Sequence, residues 1–243
     1  MLINPTRYAV LILCALTSLH AQVATVRGRV EVEGATQARP GSLPSTVVWL
    51  TPMPGPGADS APPASGTPAS FKLTQKNKTF EPHLLVVPAG TVVEFPNRDP
   101  FFHNVFSLFE GKRFDLGLYE AGTSRTVHFD RVGISYIFCN IHPEMSAVVI
   151  TLNTPYYAVA GADGQLTLPN VAYGRYIMRV WSEGMGPESA QPPGREITVA
   201  EGATSLGMIR VPPVNKDSLA HKNKYGREYD APAPDNPVYP QRP

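Results

Sequence analysis

Cys139-Asn140-Ile141-His142-Pro143-Glu144-Met145 places a thiol, an imidazole and a thioether at spacings of three and three. Soft sulfur and borderline nitrogen in one short loop suit a copper ion that alternates between Cu(I) and Cu(II). One thiolate, two imidazoles and a weak axial thioether make up a blue-copper electron-transfer site. The loop carries a single imidazole, so a second must come from elsewhere in the chain. Phe101-Phe102-His103-Asn104-Val105 can supply it.

From roughly residue 70 to residue 152 the chain resembles the cupredoxin family, which shares the Cys-x-x-His-x-x-Met spacing. The resemblance also takes in Phe80-Glu81-Pro82, the turn Val87-Pro88-Ala89-Gly90, the strand Val92-Val93-Glu94-Phe95, and Asn97 with Asp99 ahead of His103. It implies an antiparallel Greek-key β-sandwich with one copper held by His103, Cys139, His142 and Met145. It further implies that Asn104 hydrogen-bonds near the thiolate. Phe101, Phe102, Ile141 and Pro143 would form an apolar electron port around the outer edge of His142.

Composition narrows the alternatives. A formal net charge of +1 over 243 residues offers no nucleic-acid footprint. The 26 prolines and 20 glycines punctuate the chain too often for long helices. Residues 1–21 read as a secretory signal peptide: Arg7 precedes the short apolar run Tyr8 to Leu16, and Ala21 is a small residue at the cleavage point. The chain is therefore expected to be exported, to a bacterial periplasm. Of the two cysteines, removal of the signal takes Cys14 and leaves Cys139 alone. An unpaired thiol in an oxidising compartment is explained if a metal holds it.

Outside the copper stretch the pattern is again that of short strands. Val26, Val30 and Val32 alternate with polar residues, and Thr46-Val47-Val48-Trp49-Leu50 follows. Residues 52–69 are nearly all Pro, Gly, Ala and Ser and read as a flexible linker. Beyond residue 152, Asp163-Gly164, Pro169-Asn170-Val171 and Gly174-Arg175-Tyr176 resemble the carboxypeptidase-regulatory-like (transthyretin-like) modules. That resemblance implies a second small Ig/transthyretin-like sandwich at 153–211, completed by the first strands at 22–51, with the copper domain 70–152 inserted between them. The simpler alternative attaches the N-terminal strands to the copper domain. Residues 111–122 read as a surface loop. Residues 212–243, Pro-rich and poor in aliphatics, read as a disordered tail in which Tyr225, Tyr229 and Tyr239 are either solvated or docking anchors. His83 and His128 also read as solvated imidazoles.

The fold class expected is thus all-β, and the function expected is single-electron carriage by a secreted mononuclear copper protein. The partner would be a transient redox protein, with no nucleic acid and no small-molecule substrate. No His-x-His pair, Gly-x-Ser-x-Gly motif, helical His-Glu-x-x-His or phosphate loop is present, so the chain is expected not to be an enzyme. A copper-delivery module without a redox role is one alternative. A structural cell-surface sandwich with a vestigial site is another.

Overall fold

The computed structural model describes residues 22–34, 43–54, 70–108, 111–185, 192–214 and 221–229. Among the described residues the regular structure is seventeen strands and a short 3-10 helix, Glu183–Met185, with no α-helix. The chain opens with β1 (Val23–Val32) and β2 (Thr46–Pro52). Next come β3 (Phe71–Lys72), β4 (Thr74–Lys76), β5 (Thr79–Glu81), β6 (Leu84–Pro88) and β7 (Thr91–Pro96). They are followed by β8 (His103–Ser107), β9 (Phe114–Tyr119), β10 (Ser124–Phe129), β11 (Gly133–Cys139) and β12 (Ser146–Leu152). The last group is β13 (Tyr157–Val159), β14 (Gln165–Ala172), β15 (Gly174–Ser182), β16 (Arg195–Val199) and β17 (Ser205–Val211).

These strands form four main sheets stacked as layers. An outer sheet of order β14-β1-β17 faces a second of order β13-β2-β15-β16. A third, of order β6-β12-β11-β8-β9, faces a fourth, of order β10-β7-β3, and β4 and β5 form a small hairpin beside them. β2 therefore pairs with strands from the C-terminal part of the chain. Trp49 lies opposite Arg179 of β15, and the sheet that carries His103 is a different one. The all-β class expected from the sequence is the one observed. Not every pair is antiparallel: β1–β17, β6–β12 and β3–β7 are parallel. The turn after Pro88 sends the chain into the facing sheet instead of back along β6, so β6 takes a sequence-distant neighbour.

Side chains sort by the period-two rule into three apolar layers. Val26, Leu166, Leu168 and Ile209 of the first sheet meet Val48, Leu50, Tyr176 and Met178 of the second. Val93, Phe95, Val127 and Phe129 of the fourth sheet meet Val105, Ile137, Cys139 and Val149 of the third. The remaining faces of the two middle sheets, with Val47, Trp49 and Trp181 on one and Phe106, Tyr136, Phe138 and Ile150 on the other, close on each other. One strand serves two layers: Ile137 and Cys139 of β11 point one way, Ile134, Tyr136 and Phe138 the other. Polar bonds cross this central layer. Trp181 Nε1 donates to the Tyr136 hydroxyl at 3.0 Å, and His83 Nε2 lies 2.9 Å from Glu183 Oε1.

Three local expectations are corrected. Residues 114–119 form β9, paired with β8, where a loop was expected. Gly117, at φ 67°, mimics a turn, and a bulge between Asn104 and Phe106 absorbs the irregularity. His83 is tied between Ser146 O and Glu183 and is not free in solvent. Residues 221–229 of the expected disordered tail lie against the 139–145 loop, through contacts described below. The expected signal peptide, most of the linker (55–69) and Tyr239 lie outside the described residues.

Candidate metal centre

Three elements converge at one end of the third sheet. His103 opens β8, Cys139 closes β11, and the loop from Asn140 to Met145 returns the chain into β12. β8 and β11 are antiparallel neighbours, with Cys139 opposite Val105, so His103 and Cys139 emerge at the same sheet end. Backbone bonds tighten the loop: Cys139 N donates to Met145 O at 3.3 Å and Met145 N to His142 O at 3.1 Å. Asn140 N donates to Asn104 O at 2.8 Å, stapling the loop to β8.

The donor atoms meet. Cys139 Sγ lies 3.6 Å from His103 Nδ1 and 3.6 Å from His142 Nδ1. His103, Cys139 and His142 are all buried, and their three ligand atoms lie within 4.8 Å of one another. With metal–sulfur and metal–nitrogen bonds of about 2.3 and 2.0 Å, one ion could touch the sulfur and either nitrogen across the 3.6 Å between them. The cluster therefore fits a metal ion. Met145 is fully buried in the same apolar layer as Cys139.

Electrostatics leave the ligands neutral until a metal arrives. Burial pushes the Cys139 thiol up, opposed by backbone N–H groups of Asn104, Ile141 and His142 that face the sulfur. Burial lowers His103, with the Asp99 hydrogen bond opposing it. Burial also lowers His142, helped by the neighbouring His103. Two neutral imidazoles and a protonated thiol cost little to keep in a dry pocket. A metal ion would displace the thiol proton on binding.

Asp99 fixes the first imidazole. Its Oδ2 lies 2.9 Å from His103 Nε2, so that nitrogen carries the hydrogen and Nδ1 presents its lone pair toward the sulfur. The same carboxylate accepts Asn77 N at 2.6 Å and Lys78 N at 3.0 Å. Asn97 holds the turn beneath, donating to Phe101 O and accepting Asp99 N. Asp99 was visible in the sequence as part of the family pattern, but its role was not. An acid four residues before a candidate ligand is the signal that could have marked it.

Asn104 acts mainly through its backbone. Its N–H faces the thiolate position and its carbonyl receives Asn140 N, while its side-chain amide turns to Asp115 Oδ1 at 2.7 Å. The expected port residues surround the outer edge of the site. The Phe101 ring lies 5.4 Å from His103 and 5.3 Å from His142, centroid to centroid. Phe101 and Ile141 are half-buried, Phe102 and Pro143 are exposed, and His142 keeps 8% of its surface in water.

No family model and no curated protein matches this chain. Solved structures do. Cupredoxins are what about a third of this chain is similar to. A purple cupredoxin from Nitrosopumilus maritimus is 22% identical over 34% of this chain and all of its own length, with a TM-score of 0.31. A mutant of amicyanin in its Cu(I) form is 19% identical over 34% of this chain and 82% of its own, at 0.33. A copper-containing nitrite reductase from Thermus scotoductus is 23% identical over 35% of this chain, at 0.33, and this chain spans only 22% of that enzyme. TM-scores this low carry no functional weight. The expectation that the chain is not an enzyme does not stand, because one of the similar structures is a reductase. A fold of this kind leaves the reaction open, and missing motifs for other enzyme classes do not close it.

Proposed function

We propose that this protein binds one copper ion through His103, Cys139 and His142, with Met145 as the weak axial contact, and passes single electrons through it. The observation that carries this reading is the buried Cys139 sulfur with an imidazole nitrogen 3.6 Å away on either side. Bound copper supplies the one-electron couple. The chain supplies the rest. Asp99 holds the His103 ring in one tautomer and one orientation. Backbone N–H groups of Asn104, Ile141 and His142 steady the thiolate charge. The packed strands hold the donors in one arrangement, so that little has to move when an electron is gained or lost. Water is excluded everywhere except at the His142 edge. The electron enters and leaves there, beside Phe101, Phe102, Ile141 and Pro143, to a protein partner that docks briefly. Full burial of His103, Cys139 and Met145 supports carriage over copper delivery, since handing on a metal needs an open edge for ligand exchange. Residues 1–21 are read as the export signal, and the exported protein as periplasmic.

The test is the absorption and electron paramagnetic resonance of the purified protein with one equivalent of Cu(II). The expected result is an intense thiolate-to-copper charge-transfer band that bleaches on reduction and returns on oxidation. A protein that stays colourless in both states, with no change in melting temperature, would end the proposal.

A further inference from the structure

Residues 221–229 lie far along the chain from the metal loop, yet their contacts fall on it. The Tyr229 hydroxyl donates to the Cys139 carbonyl at 2.7 Å. Lys224 N donates to Asn140 Oδ1 at 2.9 Å. The His221 ring stacks on Phe138 with centroids 3.8 Å apart and planes 24° apart. Three successive residues, Phe138 and Cys139 of β11 and Asn140 of the loop, are thus held by one segment. A second route reaches the other ligand strand: Lys224 Nζ pairs with Asp115 Oδ2 at 2.7 Å, and Asp115 Oδ1 accepts the Asn104 amide. Within the segment, Asn223 Oδ1 accepts Tyr225 N and Arg227 N, and Gly226 N returns to Asn223 O, so the segment keeps its own shape.

We infer that residues 221–229 are a brace on the metal loop, with Tyr229 and Lys224 as positioning residues that hold the Cys139 and Asn140 ends of the loop in register with β8. This rests on reading His103, Cys139 and His142 as the metal site. The sulfur position follows from the Cys139 backbone. The Tyr229 phenol holds the carbonyl of the Cys139–Asn140 peptide and Asn104 O receives its N–H, while Lys224 N holds the Asn140 side chain, so rotation of that peptide is restrained. These contacts fall on residues 138–140 and on Asp115, and the His221 ring also reaches the Phe106 ring and the Pro143 backbone.

The experiment uses the full-length protein with Tyr229→Phe combined with Lys224→Met. Lys222→Ala serves as a control, because among the described residues the Lys222 ammonium pairs with Glu228 of the same segment, at 3.5 Å. Amide hydrogen exchange is followed in the metal-free protein, and copper release to a chelator in the loaded one. The double variant should exchange the amides of 140–145 about tenfold faster, with protection in β2 and β15 unchanged, and should release copper about tenfold faster. The control should match wild type in both. If the double variant fails to fold, Tyr229→Phe alone keeps the ring and repeats the measurement. Unchanged exchange and unchanged release in a folded variant would overturn the brace. A wild-type protein that takes up no copper, while the variant still exchanges faster, overturns the metal reading and upholds the brace.

Discussion

The Trp181 indole donates its N–H to the Tyr136 hydroxyl at 3.0 Å, and this single bond joins β15 of one sandwich to β11 of the other. Both side chains are fully buried. The bond orders the central apolar layer, because an indole and a phenol can sit in a dry interface only when their polar ends are satisfied. Trp181→Phe should keep most of the packing while removing the donor and some volume. The expected loss of unfolding free energy is about 1–3 kcal/mol. Urea denaturation followed by circular dichroism measures it, and a loss indistinguishable from zero would show that the layer does not depend on this bond.

Asp99 is 4% exposed and receives three N–H groups, from Asn77, Lys78 and His103. Asp99→Ala would strand these donors in a dry site. Stability should fall by about 3 kcal/mol, and copper affinity by roughly 10- to 100-fold, because the His103 ring loses its orientation. Competition with a chelator of known affinity, alongside thermal melts of the metal-free protein, separates the two effects. An unchanged affinity would mean that strand packing alone orients the ring.

If copper binds the folded cluster more tightly than the unfolded chain, it should raise the melting temperature by an amount that grows with the logarithm of its concentration over its dissociation constant. Cys139→Ser should abolish that shift and the charge-transfer band together. The metal-free variant should melt close to wild type, since serine nearly matches the cysteine in size. A copper-dependent shift of wild-type size in Cys139→Ser would place the metal elsewhere.

The His83–Glu183 pair gives the interface between the sandwiches a pH dependence. The hydrogen bond to Glu183 raises His83 above the ordinary 6.5, against burial, and the same bond lowers Glu183 below 4.5. A raised imidazole binds its proton more tightly when folded. Its contribution is therefore complete below 6.5 and disappears as pH rises through the folded value. The carboxylate contribution is present above 4.5 and disappears as pH falls through its own lowered value. The difference in melting temperature between wild type and His83→Gln should be largest just below pH 6.5 and shrink as pH rises through the raised folded value. His103 and His142 titrate the other way but are common to both proteins, so they cancel. A difference that is flat with pH would mean that His83 acts here as a neutral hydrogen-bonding group.

Much of the site was legible because ligand chemistry is local. Three candidate ligands fall within seven consecutive residues, and a thiol left alone after export asks for an explanation that the loop provides. Strand alternation in β1, at Val26, Val30 and Val32, could also be read directly. What escaped were relations between distant parts. Ile134, Tyr136, Ile137, Phe138 and Cys139 make a nearly continuous apolar run, as do Ala147 to Ile150. Such runs signal strands covered on both faces. The runs mark strands but do not say what covers the second face, so the third apolar layer is not legible from them. The brace escaped because its composition is that of a solvated tail. Its ordering comes from partners at Cys139, Asn140 and Asp115, which no local pattern around Tyr229 announces.

The third sheet, apolar on both faces, also bears on how the molecule can be divided. Residues 70–152 look self-sufficient as a unit, but cut free they would expose Phe106, Tyr136, Phe138, Val148 and Ile150 to water. An excised copy would carry an adhesive wall and would clump or pair with itself. The flanking sandwich thus serves as a solubilising jacket for its neighbour, and the two must be inherited, expressed and engineered together.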